Sequence, residues 1–297
     1  GFYRGVRIVE KEPKIFVRTL DYRTGLIEVE VEGGRKFRKT LKDFKLWSPE
    51  EPNMTTIEVD GRKVRFGVRQ IEARDKKLWL NGKELFLKGV NRHDQSPLGG
   101  ATVPEIEWVQ DLQHLKDLGG NFIRGAHYQQ ADRFLELCDE MGVLVWEESL
   151  GWGNGQDYTK SVGDCTDPEF REQQIKQTRD MVRNSFNHPS IIIFSFLNEP
   201  GSTTKECKSL IDELIATVKA ENSGRLVTFA CNMGVNDICN DNTDLIAINN
   251  SQKESERKLR RNSSIFPHAL SRQAYHDFRD RIRCRLWLAR PSSERLD

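Results

Sequence analysis

The sequence has no apolar run of about 18 residues, the length that a helix needs to cross a membrane. It has no excess of one charge either, because 46 basic residues face 45 acidic ones, so its net charge predicts neither nucleic acid nor an anionic membrane as a partner. Its six cysteines form no CxxC pair and show no metal-ligand spacing. We therefore expect free thiols, which favours a reducing compartment such as the cytoplasm.

Residues 251–297 contain no glycine and no valine, although the first 250 residues hold all 22 glycines. This tail carries 12 basic residues, 10 of them arginine, against 6 acidic ones, which leaves 34 basic and 39 acidic residues before it. One interpretation is a basic arm that binds nucleic acid or an acidic partner. The other interpretation, which the abrupt change of composition favours, is that the tail is unrelated to the rest of the chain and follows a truncation. We therefore leave 251–297 unassigned.

Residues 1–80 consist of short apolar or alternating runs separated by glycine, proline and aspartate, a pattern typical of a small all-β sandwich. The predicted strands are Val6 to Val9, Ile15 to Val17, Leu26 to Val31, Met54 to Val59 and Val64 to Val68. Asn81-Gly82 between two strand-like runs then predicts a tight hairpin.

From residue 81 to 250, strand-like and helix-like segments alternate, which predicts a parallel sheet with helices between its strands. Six strands are expected, at Phe86 to Val90, Asn121 to Arg124, Val143 to Trp146, Ile191 to Glu199, Leu226 to Ala230 and Leu245 to Ile248. The helix after Pro104 should bury Ile106, Val109, Leu112, Leu115 and Leu118, a helix should begin at Asp167-Pro168, and Thr203 to Glu206 forms a capping box for the last helix. The predicted fold is α/β, an incomplete (β/α)8 barrel that follows the small all-β sandwich in the chain.

The apolar run Ile191 to Leu197 ends abruptly in Asn198-Glu199-Pro200. A run of seven residues, apolar except for Ser195, is typical of a strand buried on both faces, and carboxyl ends of such strands carry the chemistry in (β/α)8 barrels. Glu199 at the lip of an apolar wall is suited to general acid catalysis. The alternative interpretation is that Asn198 and Glu199 cap the next helix.

Asn-Glu-Pro after a buried strand resembles the acid/base strand of retaining glycosidases. Three further stretches, Gly89 to Asp94, Asn121 to Tyr128 and Leu144 to Glu148, appear in the order found in glycoside hydrolase family 2, the β-galactosidase and β-glucuronidase family, which the chain resembles over residues 1 to about 250. The resemblance implies an immunoglobulin-like domain followed by a TIM barrel, with Glu199 as acid/base and Asn198 bound to the sugar 2-hydroxyl. It also implies a second glutamate, the nucleophile, after the seventh barrel strand.

Six further residues are candidate substrate-binding groups. His93, Asp94, Arg124, His127 and Glu148 stand at or just after the ends of predicted strands, and Trp152 could stack on a sugar ring. Arg124 could instead form a buried ion pair, His127 could be a core histidine, and Trp152 could pack a loop onto the barrel. Strand alternation favours Glu148 over Glu147 at the barrel mouth.

No residue is assigned as the nucleophile, because the resemblance ends after the sixth strand. Some family members hold magnesium near the acid/base, but no ligand cluster stands at matching positions here, so we expect no metal and no cofactor. Asn91 to Asp94 followed by Pro97-Leu98-Gly99 is more similar to the β-galactosidase branch. The sequence thus predicts a β-galactosidase-like retaining glycosidase with the acid/base half of its site and no assigned nucleophile, so we expect little or no activity from this chain alone. The alternative is a non-catalytic carbohydrate-binding or assembly fragment, either a homo-oligomer or completed by another chain.

Overall fold

The computed structural model describes residues 12–151, 165–233 and 236–249, together with the backbone of residues 286–289. The predicted strand at 6–9 lies outside these ranges. Strands β1 (Ile15–Asp21), β2 (Leu26–Val31) and β3 (Lys36–Thr40) form one antiparallel sheet, and β4 (Thr55–Val59) and β5 (Arg62–Phe66) form a second. Both sheets bury their inner side chains in a common core that includes Ile27, Val29, Ile57 and Phe66. The predicted all-β region is confirmed.

Strand β3 was not predicted, because four of its five residues are polar. It is an edge strand, and its charges are neutralised by its neighbour β2: Lys36 Nζ lies 2.9 Å from Glu30 Oε2 and Arg38 Nε lies 3.5 Å from Glu28 Oε2. Basic residues on an edge also discourage pairing with another chain. Cross-strand ion pairs, rather than an apolar face, therefore support this strand.

A three-stranded antiparallel sheet follows, made of β6 (Ile71–Arg74), β7 (Lys77–Leu80) and β8 (Lys83–Leu85). The predicted hairpin at Asn81-Gly82 is confirmed, and both residues have the positive φ that the turn requires, 51° and 74°. Ile71, Leu78 and Leu80 of this sheet share a core with barrel residues that include Phe122, Trp146 and Ile193. The small sheet thus covers one end of the barrel interior.

Six parallel strands then lie side by side in chain order, with helices between most of them. The strands are β9 (Gly89–Arg92), β10 (Phe122–Gly125), β11 (Leu144–Glu148), β12 (Ile191–Asn198), β13 (Leu226–Cys231) and β14 (Ile246–Asn249). The helices are α1 (Glu105–Asp117), α2 (Asp132–Met141), α3 (Pro168–Asn184) and α4 (Lys205–Ala220). This curled sheet confirms the predicted partial barrel.

Three local predictions were wrong. The first barrel strand begins at Gly89, and Phe86 is 74% exposed. Ile106 is 62% exposed because α1 turns Trp108, Asp111, Leu112 and Leu115 inward, where Asp111 binds Arg92. Helix α4 is capped by Thr204, whose side chain accepts from the Cys207 amide, one residue later than predicted. The cap at Asp167 is confirmed, with its side chain accepting from the Glu169 amide.

The described part of the tail, residues 286–289, forms a strand that the sequence did not predict, β15 (Leu286–Ala289), which pairs with β14 in the antiparallel direction. Leu286 lies opposite Asn249, and Ala289 lies opposite Ile246. Its four-residue apolar run is too short to predict a strand by itself. Because β15 is antiparallel to the other strands, its carboxyl end lies at the opposite end of the barrel from theirs.

Two arginines bind carbonyls around the start of β12: Arg69, which lies between β5 and β6 and so links the all-β region to the barrel, and Arg225, which directly precedes β13. Arg69 donates to the Pro189 carbonyl at 2.9 Å and to the Ile191 carbonyl at 2.5 Å, and Arg225 donates to the Phe186 carbonyl at 2.6 Å and to His188 at 2.9 Å. Close contact accompanies these bonds, since a Cβ added at Gly67 would lie 2.5 Å from Pro189 Cβ. Burial lowers the pKa of Arg69 to about 10.

Candidate active site

The carboxyl ends of the parallel strands bring most of the predicted site residues to one mouth. Arg124 lies on β10, Glu148 ends β11, and Asn198 ends β12 with Glu199 directly after it. His127 follows β10 and binds Glu148, while its ring centroid lies 5.2 Å from that of His93, which follows β9. Trp152 lies outside the described residues.

Arg124 and Glu148 form a fully buried ion pair at the centre of this mouth. Arg124 Nη2 and Nε lie 2.7 Å and 3.0 Å from Glu148 Oε2, and both side chains are 0% exposed. The Ser195 hydroxyl donates to the same oxygen at 3.1 Å, and His127 Nδ1 lies 2.7 Å from Glu148 Oε1. Burial acts to raise the pKa of Glu148, but Arg124 and His127 outweigh it and hold that pKa below its usual range. Glu148 is therefore an anchored anion.

The neighbouring Glu147 points to the other side of the strand, as the alternation predicts. It is also fully buried, but neither of its carboxylate oxygens has a hydrogen-bond partner among the described residues. Burial raises its pKa to about 7, against smaller lowering effects from Ser185 and His188. The pKa of Glu147 is therefore raised, whereas that of its neighbour Glu148 is lowered.

The end of β12 is bent so that Asn198 and Glu199 face the mouth. Leu197 and Glu199 have positive φ values of 45° and 52°, a region that is strained for residues other than glycine, and the pairing with β13 is irregular between Ser195 and Asn198. The Glu199 amide still donates to the Ala230 carbonyl at 2.8 Å. Since α4 begins at Lys205, Glu199 does not cap that helix, and the alternative interpretation of this motif was wrong.

Asn198 is fixed by its oxygen and open at its nitrogen. Asn198 Oδ1 accepts from Arg124 Nη2 at 2.9 Å and from Asn249 Nδ2 at 3.0 Å. No protein partner for Nδ2 is found in the part of the chain that the structure describes. This nitrogen can therefore donate to a ligand hydroxyl.

Two asparagines that the sequence reasoning missed hold the carboxylate of Glu199. Asn249 Nδ2 donates to Glu199 Oε1 at 2.8 Å, and Asn232 Nδ2 donates to Glu199 Oε2 at 3.1 Å. Asn249 ends β14, and Asn232 directly follows β13. The rule that selected His93 and Arg124, a polar residue at a strand's carboxyl end, would also have found both.

Asp94 lies behind the mouth and supports it. It is buried, its Oδ1 accepts from Arg92 Nη1 at 3.0 Å and from Trp108 Nε1 at 2.9 Å, and its amide donates to the Tyr128 hydroxyl at 2.9 Å. These contacts connect β9, α1 and the segment after β10. A direct contact of Asp94 with substrate stays a prediction.

A magnesium ion beside the acid/base does not fit these residues. Both oxygens of Glu148 are already used by Arg124, Ser195 and His127, and both oxygens of Glu199 face amide N–H donors. Within the described ranges, no three His, Cys, Asp or Glu side chains are grouped so as to hold a metal ion.

Among the helices of the described residues, none is long and apolar enough to span a membrane.

The fold is shared with solved structures. A β-galacturonidase from Eisenbergiella tayi, bound to galacturonate, has a TM-score of 0.64 and 29% identity, covering 81% of this chain and 44% of that one. A β-glucuronidase from an uncultured Clostridium sp. has a TM-score of 0.73 at 23% identity, covering 81% of this chain and 47% of that one, a likeness of fold alone.

Two curated relatives are similar in sequence. A β-galactosidase from Thermoanaerobacterium thermosulfurigenes is 36% identical over 166 residues, which are 52% of this chain and 22% of that protein. A putative β-glucuronidase from Formosa agariphila is 32% identical over 194 residues, 59% of this chain and 22% of that protein. This chain thus spans about a fifth of the length of either relative.

The sequence model for the TIM barrel domain of glycosyl hydrolases family 2 matches residues 71–266. The match begins at β6 and extends beyond residue 250, where the sequence motifs placed the end of the resemblance. It includes every strand of the parallel sheet and every residue of the mouth described above. The chain therefore belongs to glycoside hydrolase family 2.

Proposed function

We propose that this chain carries the acid/base half of a retaining β-glycosidase site, with Glu199 as the acid/base. The observation that carries the proposal is the position of Glu199, a half-buried carboxylate held at both oxygens by amides and placed beside Asn198 at the barrel mouth. In such an enzyme one carboxylic acid protonates the leaving oxygen while a second carboxylate attacks the anomeric carbon.

The other residues of the mouth have supporting roles in this proposal. Asn198 Nδ2 donates to the sugar 2-hydroxyl, a contact that strengthens in the transition state. The ion pair of Arg124 and Glu148 fixes Asn198 through its oxygen, and His127 and His93 line the adjoining wall. We infer a β-galactoside as the substrate class, because the stretch after β9 is more similar to the β-galactosidase branch.

No described residue is assigned as the nucleophile. The family's nucleophile follows a seventh parallel strand, whereas β15 runs antiparallel beside β14. An acid/base without a nucleophile loses the covalent step, so we expect little or no turnover by this chain alone.

An external nucleophile tests this proposal. We would incubate the chain with phenyl β-galactoside, β-glucuronide and β-galacturonide, whose basic phenol leaving group requires protonation, with and without sodium azide. Azide would form the bond to the anomeric carbon as the bond to the aryl oxygen breaks, and Glu199 would supply the proton that the leaving oxygen takes up. Turnover only with azide, reduced by Glu199→Gln and unchanged by Glu206→Gln on the exposed first turn of α4, is the expected result.

Other outcomes would replace the proposal. Turnover without azide that Glu199→Gln abolishes would reveal a nucleophile supplied elsewhere, from the tail or a second subunit. No turnover in any condition would favour the second candidate, a carbohydrate-binding or assembly fragment. That candidate rests on the end position of β9, which has β10 as its one parallel neighbour in the described sheet, and a stable monomer in sedimentation would count against it.

A further inference from the structure

The two amides that hold Glu199 differ in how firmly their own orientation is fixed. Asn249 Oδ1 accepts from Arg124 Nη1 at 3.3 Å, while its Nδ2 donates both to Asn198 Oδ1 and to Glu199 Oε1. Turning this amide over would place its NH2 group against a guanidinium and its oxygen against two other oxygens. The orientation of Asn249 is therefore determined by its surroundings.

The Asn232 side chain is exposed, and its hydrogen bond to Glu199 Oε2 is the one contact of its amide within the described residues. Nothing there opposes a rotation that exchanges its nitrogen and oxygen. An amide carries both donors and an acceptor, so Asn232 can donate to an ionised carboxylate through Nδ2 or accept from a protonated one through Oδ1. Asn249 cannot exchange its nitrogen and oxygen in this way, because its contacts fix its orientation.

A general acid/base exists in both of these forms during one reaction cycle. We propose that Asn232 is a positioning residue that follows the proton of Glu199: its amide donates to the ionised carboxylate and turns over to accept from the protonated acid. The inference rests on the proposed function for its catalytic meaning. It also assigns the proton to Oε2, because Oε1 faces the fixed N–H donor of Asn249.

Within the described residues, the charged and titratable groups that line the mouth beside Glu199 are His93 after β9, Arg124 and His127 at the end of β10, and Glu148 on β11. Among the described residues at the ends of β13 and β14, the side chains that contact the Glu199 carboxylate are Asn232, directly after β13, and Asn249, the last residue of β14. Any of the four charged or titratable groups could add its own pH response, so the test needs a signal specific to Asn232.

The side-chain amide of Asn232 provides that signal, whether or not the chain is active. In a nitrogen-15 NMR titration of the full chain, we expect its NH2 cross-peaks to move through one pH-dependent step that disappears in Glu199→Gln. Asn242 is a matched control, because its Nδ2 donates to the Asp212 carboxylate at 2.8 Å on the helix layer, and its titration should survive Glu199→Gln. An Asn232 titration that persists in Glu199→Gln would overturn the inference.

Binding of a cationic iminosugar of galacto configuration links the inference to function. We expect Asn232→Leu to weaken binding about tenfold by removing one donor to the ionised carboxylate. Asn232→Gln should restore most of the affinity, and Asn232→Asp should move the pH dependence of binding upward because like charges favour the protonated acid.

The two failures are distinguishable. If the wild-type chain does not bind the iminosugar but the Asn232 cross-peaks respond to Glu199→Gln, the proposed function fails and the inference stands. If the wild-type chain binds and Asn232→Leu binds equally well over the whole pH range, the inference fails and the proposed function stands.

Discussion

Glu148 on the inside of the barrel mouth and Glu147 on the outer side of the same strand, β11, are adjacent buried glutamates whose pKa values are shifted in opposite directions. Inside, Glu148 has a guanidinium, an imidazole and a hydroxyl as partners, and its pKa is lowered. Outside, Glu147 is equally buried without a hydrogen-bond partner among the described residues, and its pKa is raised to about 7. Partners, rather than depth of burial, determine which carboxyl stays ionised.

The largest effect is expected from removing the cation on the inside. Arg124→Met should lower the free energy of unfolding by about 3–5 kcal/mol, because the Glu148 charge would remain buried without its main partner. Urea unfolding near neutral pH measures this. Arg124→Met combined with Glu148→Met should recover most of the loss, and a loss below about 1 kcal/mol in the single variant would contradict the assigned contrast.

On the outside, Glu147 should make stability depend on pH in the opposite sense from Glu148. Its pKa rises from 4.5 to about 7 on folding, so the folded chain binds this proton more tightly and stability falls as pH increases between those values. The full effect is about 3 kcal/mol. Unfolding at about pH 5 and about pH 8 should show that Glu147→Gln flattens this decline.

Glu148→Gln is the matched control for that measurement. Because the pKa of Glu148 is lowered in the folded chain, its contribution is present above its ordinary value of 4.5 and is lost as pH falls through the lowered value. The Gln variant should therefore flatten the acid side and leave the decline toward pH 7 in place. If the unfolding free energies of the two variants depended on pH in the same way, the opposite pKa shifts of Glu147 and Glu148 would be contradicted.

A smaller effect is expected from His188, a second charge on the outside. Its Nδ1 lies 2.6 Å from Asp139 and its Nε2 lies 3.2 Å from Asp132; burial acts to lower its pKa, but the two carboxylates outweigh this and raise it to about 10. Its contribution is full below pH 6.5 and is lost as pH rises through about 10.

Because Asp132 is exposed, we expect this contribution to be about 2 kcal/mol. His188→Gln should remove the corresponding alkaline decline in thermal unfolding. An unchanged alkaline decline in that variant would show that Asp132 and Asp139 do not hold the proton of His188.

The smallest effect is expected at a neutral contact. Trp47 is 0% exposed and its Nε1 donates to the Asp139 carbonyl at 2.9 Å. In urea unfolding, the lost hydrogen bond should contribute about 1 kcal/mol to the cost of Trp47→Phe, apart from the cost of the smaller ring. The control is Trp79→Phe, whose Nε1 donates to the Arg74 carbonyl at 3.3 Å nearer the surface, and an equal cost there would show that burial adds nothing.

Much of this architecture could be predicted from the sequence because buried parallel strands leave apolar runs and their carboxyl ends leave polar residues. That rule found Arg124, His127, Glu148 and Glu199, and the glycines and caps fixed the helix ends. It did not find β3, whose support is a set of ion pairs with β2 and not an apolar face.

The rest depends on contacts between distant segments. Asn232 and Asn249 bind a carboxylate that lies more than thirty residues earlier in the chain, and Ile106 lost its predicted place in the core because the Arg92–Asp111 pair sets the rotation of α1. The rule of polar strand ends places both asparagines at the mouth, but local spacing predicts neither their contacts with Glu199 nor the pair of Arg92 with Asp111. Side-chain pairing across the fold, which no periodicity encodes, decided these positions.

Because Arg69 joins the all-β region to the barrel, the two regions are not independent modules. The residue belongs to the part of the chain before the barrel, yet its guanidinium occupies the carbonyls at the start of β12, the strand whose far end carries Glu199. A barrel expressed without that arginine would leave the Pro189 carbonyl without this donor and the Ile191 carbonyl with the longer bond from Arg225 Nε at 3.3 Å. The two regions are separate in sequence but should unfold as one cooperative unit, so recombination that exchanges one for a homologue must carry this arginine with it.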